Sequence, residues 1–176
     1  MLLFLILLSL SFCCEEVSEE ERLIAEILCK SADFLEKKYD MRAIETIEGG
    51  PDGLNFLGLG FHVYKELKKE DIRIILVEAS QYFLNSINKE YKLMPYMSNY
   101  PFTLNNIRIS LVFKHKDGND IDHPDIGMAS ISKHNFLIYK TSRGEYCDTV
   151  TTEKESFEDA LKIVEESRVI KMGVEK

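Results

Sequence analysis

No run of more than two lysines or arginines occurs in these 176 residues, and 22 Lys+Arg face 30 Asp+Glu for a net charge of −8. Phosphate recognition is built on clustered positive charge, so nucleic-acid binding is not expected. The chain also lacks the stretches of about 20 apolar residues that make a polytopic membrane protein. Nine glycines and four prolines are too few for collagen, and 45% hydrophobic residues are too many for wholesale disorder. The four cysteines have no metal-site spacing. Internal repeats and low-complexity tracts are absent as well. What remains is one ordinary domain, long enough to bury a core.

The N-terminus carries the clearest signal. Met1 to Phe12 (MLLFLILLSLSF) holds no charge, and Cys13-Cys14 and the acidic stretch Glu15 to Glu21 follow it. At 1.5 Å per residue this run covers about 18 Å, short of a bilayer core of roughly 30 Å. It has the length of the hydrophobic region of a signal peptide, although no Lys or Arg precedes it. The competing reading, an N-terminal core helix, accords poorly with a uniformly apolar, uncapped end abutting acids. A cysteine directly after such a run resembles the lipobox of bacterial lipoproteins, in which cleavage precedes a lipidated cysteine. Leu10-Ser11 fit its first positions, whereas Phe12 before Cys13, or Cys13 before Cys14, is not the usual small residue. Lipidation of Cys13 or Cys14, ordinary secretion and an uncleaved anchor stay open. Residues 1–14 therefore read as a signal ending near a lipobox-like cysteine, 15–22 as an acidic tether and helix start, and 23–176 as a single α+β domain. In an oxidising compartment Cys29 and Cys147 can pair or stay as two free thiols.

Along the chain, Ser18 and Glu21 make a capping box before an apolar stripe of Leu23, Ile24, Ile27, Leu28, Phe34 and Leu35. This predicts a helix to about Tyr39, with Cys29 off its buried face. From Met41 to Asn55 the pattern breaks, and Glu48 to Gly53 has turn chemistry, so a loop is expected. Phe56 to Tyr64 alternates as a strand whose Gly58 and Gly60 leave one face bare for a close neighbour. Lys69 to Asn88 reads as the longest helix, with Ile72, Ile75, Leu76, Ala79, Phe83 and Ile87 in one stripe. Strands follow over Asn106 to Lys114, Ile126 to Ser132 and Phe136 to Lys140, and a turn over Arg143 to Tyr146. A last helix begins at Ser156, with Asp159 in the capping-box position. The order α-β-α-β-β-β-α implies an α+β fold: two layers, with a mostly antiparallel sheet of about four strands covered by helices. The cystatin and nuclear-transport-factor-like group has a similar helix and curved sheet, an analogy of fold alone.

No catalytic, cofactor or metal residue stands out. The loop His115 to Asp125 (HKDGNDIDHPD) is rich in hard donors, but counted from Asp117 the fifth and sixth positions, where a calcium loop needs an oxygen donor and a glycine, hold Ile121 and Asp122. It reads as a solvated strand connection. Cys147 with His134 could be drawn as a thiol site, but the dispersed histidines have no catalytic spacing. Tyr91 to Phe102 packs four aromatics and two prolines into twelve residues. It reads as a connection pinned by its rings, or as a partner surface involving Tyr96, Tyr100 and Phe102.

The segments 34–44 (FLEKKYDMRAI), Met94-Pro95-Tyr96, 99–103 (NYPFT) and 106–109 (NIRI) resemble a small family of bacterial envelope lipoproteins for which no activity is established. The resemblance implies export and one compact domain, and it transfers no catalytic residue or cofactor. The expectation is an exported binding or assembly module of the cell envelope, membrane-anchored or secreted, with an envelope protein as partner. The alternatives are a small envelope enzyme with a thiol or metal site, and a cytoplasmic protein.

Overall fold

The computed structural model describes residues 17–49, 53–132, 134–143 and 148–174. Helix α1 (Glu19–Tyr39) leads into strands β1 (Arg42–Gly49) and β2 (Phe56–Val63), and helix α2 (Lys69–Lys89) follows. Two short 3-10 turns (Tyr91–Tyr96 and Leu104–Asn106) then lead to β3 (Ile107–Phe113), β4 (Met128–Ile131), β5 (Phe136–Arg143), β6 (Asp148–Ser156) and helix α3 (Phe157–Val174). The fold is α+β, with a six-stranded mixed sheet in the order β1-β2-β3-β4-β5-β6. Four pairings are antiparallel, and β2 lies parallel to β3. A parallel neighbour requires a crossover, which α2 supplies.

The sheet is therefore larger than the expected four strands, and the order is α-β-β-α-β-β-β-β-α. The Met41 to Asn55 stretch is not all loop, because Arg42–Gly49 forms β1, whose pairing with β2 shifts register at Ile44. β6 is the other addition. Both are edge strands with mostly exposed side chains, so neither carries the apolar alternation that marks a half-buried strand. The expected turn over 143–146 lies largely outside the described residues.

One face of the sheet forms the core. Leu57, Leu59, Phe61 and Val63 of β2 and Ile107, Ile109, Leu111 and Phe113 of β3 are almost fully buried there. Against them lie Ile72, Leu76, Phe83 and Ile87 of α2, which sits centrally and touches both α1 and α3. Glu78 of α2 binds all three helices together: it accepts from Lys38 at 2.7 Å, from the Tyr39 hydroxyl at 2.6 Å and from Arg168.

The helix starts follow from local sequence. The Ser18 hydroxyl accepts from the Glu21 amide at 3.1 Å, and the Glu21 carboxylate accepts from the Ser18 amide at 2.8 Å. At α3, the Ser156 hydroxyl accepts from the Asp159 amide at 3.1 Å. Ser18→Ala removes one side of the first box and should cost about 1 kcal/mol in urea denaturation; an unchanged midpoint would show that the α1 start contributes nothing to global stability.

Candidate functional site

The second face of the sheet carries no helix among the described residues, and its composition makes a trough. Register places Gly58 beside Arg108, Gly60 beside Ser110, Ser110 beside Ser130 and Ser130 beside Ile138. Small residues thus run through the middle of β2, β3 and β4. The bare strip over the glycines is closed by its neighbours: a Cβ on Gly60 would meet the Glu45 Cβ at 3.1 Å and the Ser110 Oγ at 3.2 Å, and one on Gly58 the Arg108 Cβ at 3.2 Å. The open space lies on the β3–β5 side. A groove of about 850 Å³ runs there, within the size range of small-molecule sites.

Arg108 of β3 and Lys140 of β5 both line the groove, with Ser130 of β4 between those strands and His134 from the β4–β5 connection. No aspartate or glutamate lines it among the described residues. The end near Arg108 is rich in amides, from Asn55, Asn99, Asn105 and Asn106, whereas Met128 and Ile138 lie toward Lys140. A second cavity of about 270 Å³ shares Met128 and Lys140 with the first and is lined beyond them by Val112 and Ile121 together with Asp120, Ser142 and Thr149. On the same face, burial and then the Lys114 and Arg42 charges hold the His62 imidazole below its usual value. Arg42, Arg108, Lys114 and Lys140 thus lie on this face, with Glu45 beside Gly60 and Asp120 paired with Lys114. The arrangement can bind and orient an anion against an apolar floor.

The residues singled out from sequence lie elsewhere. Cys13, Cys14 and Cys147 are outside the described residues, while Cys29 is an exposed free thiol on α1. The aromatic segment is divided. Tyr100 is 40% exposed and donates from its hydroxyl to the Asn88 carbonyl at 3.2 Å, and Tyr96 is partly buried against the core. Phe102 is only 2% exposed, and the Asn88 side chain holds its backbone through bonds of 2.8 and 2.9 Å. As a core residue, Phe102 is not available to a partner. In the His115 to Asp125 loop, Asp117 accepts from the Asn119 amide at 3.0 Å, Lys114 pairs with Asp120, and His123 Nδ1 lies 3.0 Å from Thr141 Oγ1. Among the described residues no three His, Cys, Asp or Glu side chains are grouped to hold a metal ion. No helix among them is long and apolar enough to cross a membrane.

Sequence reasoning missed Arg108, Ser130 and Lys140. The alternation over Ile107 to Phe113 already put Arg108 on the opposite face from the core. It could not say which strands flank that face, because register across a sheet is a tertiary property. Comparison with protein-family models, curated proteins and solved structures finds no match for this chain.

Proposed function

We propose that this protein is an exported, lipid-anchored binding module of the bacterial cell envelope and that the groove on the open face of its sheet is the binding surface. The observation that carries the reading is a concave site of about 850 Å³ whose described lining holds Arg108 and Lys140 and no carboxylate, in a chain of net charge −8. The apolar run before Cys13-Cys14 supports the anchor, since two acyl chains hold a protein stably at a membrane. The acidic residues after it serve as a short tether between lipid and domain.

Two measurements test the two halves of this reading. The intact mass of protein recovered from bacterial envelopes should correspond to a chain beginning at Cys13 or Cys14 plus acyl groups; an unmodified full-length mass would overturn the anchor. A photo-crosslinker at Ser132, on the groove, should give defined adducts in intact cells, while the same group at the exposed Glu26 of α1 should not. Equal labelling from both positions would remove the groove as the binding surface.

A further inference from the structure

The distribution of chemistry along the groove specifies a ligand class, taking the groove as the binding surface proposed above. We infer that it accepts a single-chain amphiphile with an anionic head, a long-chain carboxylate, with the head at Arg108 and the tail running past Ile138 and Met128 into the adjoining cavity.

Charge complementarity gives the sign of the ligand. Among the described residues Arg108 and Lys140 line the groove and no carboxylate does, which disfavours a cationic head and favours an anionic one. Polarity gives its orientation. Arg108 shares its end of the groove with Asn55, Asn105, Asn106 and His134, a donor-rich setting for a carboxylate. The other end is floored by Ile138 and Met128, with Lys140 beside Met128, and meets the smaller cavity, where Val112 and Ile121 stand with Ser142, Thr149 and an Asp120 already paired with Lys114. A group with one charged end and a long apolar end matches that gradient; a compact dianion would leave the apolar half unfilled.

The chain path gives the source. Gly49 lines the Arg108 end of the groove and also borders the cleft beside Ser18 and Glu21 at the start of α1. Only four or five residues separate Ser18 from Cys14 or Cys13. Extended chain spans at most about 3.6 Å per residue, so a lipid on either cysteine keeps Ser18, at the cleft that Gly49 shares with the groove, within about 18 Å of the bilayer surface. An amphiphile entering tail first from that side leaves its head at the mouth, beside Arg108.

Binding can be read on the full chain carrying Cys13→Ser and Cys14→Ser, by displacement of the fluorescent carboxylate cis-parinarate with palmitate or the neutral hexadecanol. Palmitate should displace it at about tenfold lower concentration than hexadecanol, and Arg108→Gln should remove that advantage while leaving hexadecanol unchanged. Ser130→Trp should block both ligands, and Ile138→Trp provides a second blocking variant if the first alters the melting midpoint. Displacement unmoved by every groove substitution would place the probe on the unaltered N-terminal run and overturn the inference. A loss in Lys140→Gln with none in Arg108→Gln would overturn the orientation. If no variant alters palmitate binding but Ser130→Trp abolishes the groove crosslinks in cells, the amphiphile fails and the binding surface stands; if neither responds, both fail.

Discussion

Phe61→Ala should destabilise the domain by about 3–5 kcal/mol, a large part of the 5–15 kcal/mol that holds a typical domain folded. Phe61 has no exposed surface and sits on a strand paired on both sides, between Ala43 of β1 and Leu111 of β3. Deleting its ring removes the transfer free energy of a large side chain and leaves a cavity. The cavity cannot readily collapse, because ladders on both sides fix the β2 backbone. Urea denaturation should show a lower midpoint at an unchanged slope. A loss below about 1 kcal/mol would mean that β2 is not central to the core. The opposite pleats of the same strand are Gly58 and Gly60, so damage here also disturbs the floor beside the groove.

The second large effect is expected at Glu155. Its carboxylate accepts from Arg73 Nε at 2.8 Å and Arg73 Nη2 at 2.9 Å, and from the Tyr139 hydroxyl. The Arg73 and Glu155 side chains are only 11% and 15% exposed. Removing one member of such a pair strands the other charge, at a cost of about 3–5 kcal/mol in fully buried cases. Some contact with water puts Glu155→Ala near the lower figure, about 3 kcal/mol. Arg73→Met combined with Glu155→Leu should recover most of the loss, since replacing both partners with apolar groups removes the stranded charge. If the double variant is no more stable than Glu155→Ala, the loss arises from packing rather than charge.

The same carboxylates set an acid limit. Burial raises the Glu78 carboxyl, but the bonds from Lys38, Tyr39 and Arg168 outweigh it and hold the group down at about 2, against an ordinary value of 4.5. Burial likewise raises the Glu155 carboxyl, and the bonds from Arg73 and Tyr139 outweigh it and hold the group below its ordinary value. A carboxylate depressed on folding contributes stability that is present above its unfolded pKa and lost as pH falls through its folded one. Urea midpoints should therefore fall as pH drops from about 4.5 toward 2, and Glu78→Gln should flatten the slope. A wild-type midpoint constant over that interval would contradict the Glu78 cluster.

These ion pairs also explain what could be read without coordinates. The apolar stripes of α1 and α2, the capping serines and the alternation in β2 and β3 are local patterns, and each gave its element because burying them requires that period. β6 escaped because its core-side positions include Glu153 and Glu155 instead of apolar residues. Only the tertiary structure supplies Lys69, 2.7 Å from Glu153, and Arg73 on α2 to neutralise them. β1 escaped because an edge strand with a register shift at Ile44 loses the two-residue period. The sequence left Phe102 open between a ring pinned to the core and a partner surface because clustered aromatics look alike whether exposed or buried; Asn88, fourteen residues away, holds its backbone in the core.

The sequence by itself determined the acidic balance, the apolar N-terminal run before paired cysteines, the α+β class and most of the core face. Tertiary structure alone decided the six-strand order, the placing of all three described helices on one face and the meeting of Arg108, Ser130 and Lys140 on the other. The physical reason is separation along the chain. Periodicity and capping are written within a turn or a pleat, whereas a groove across three strands exists only when register aligns residues twenty or thirty positions apart.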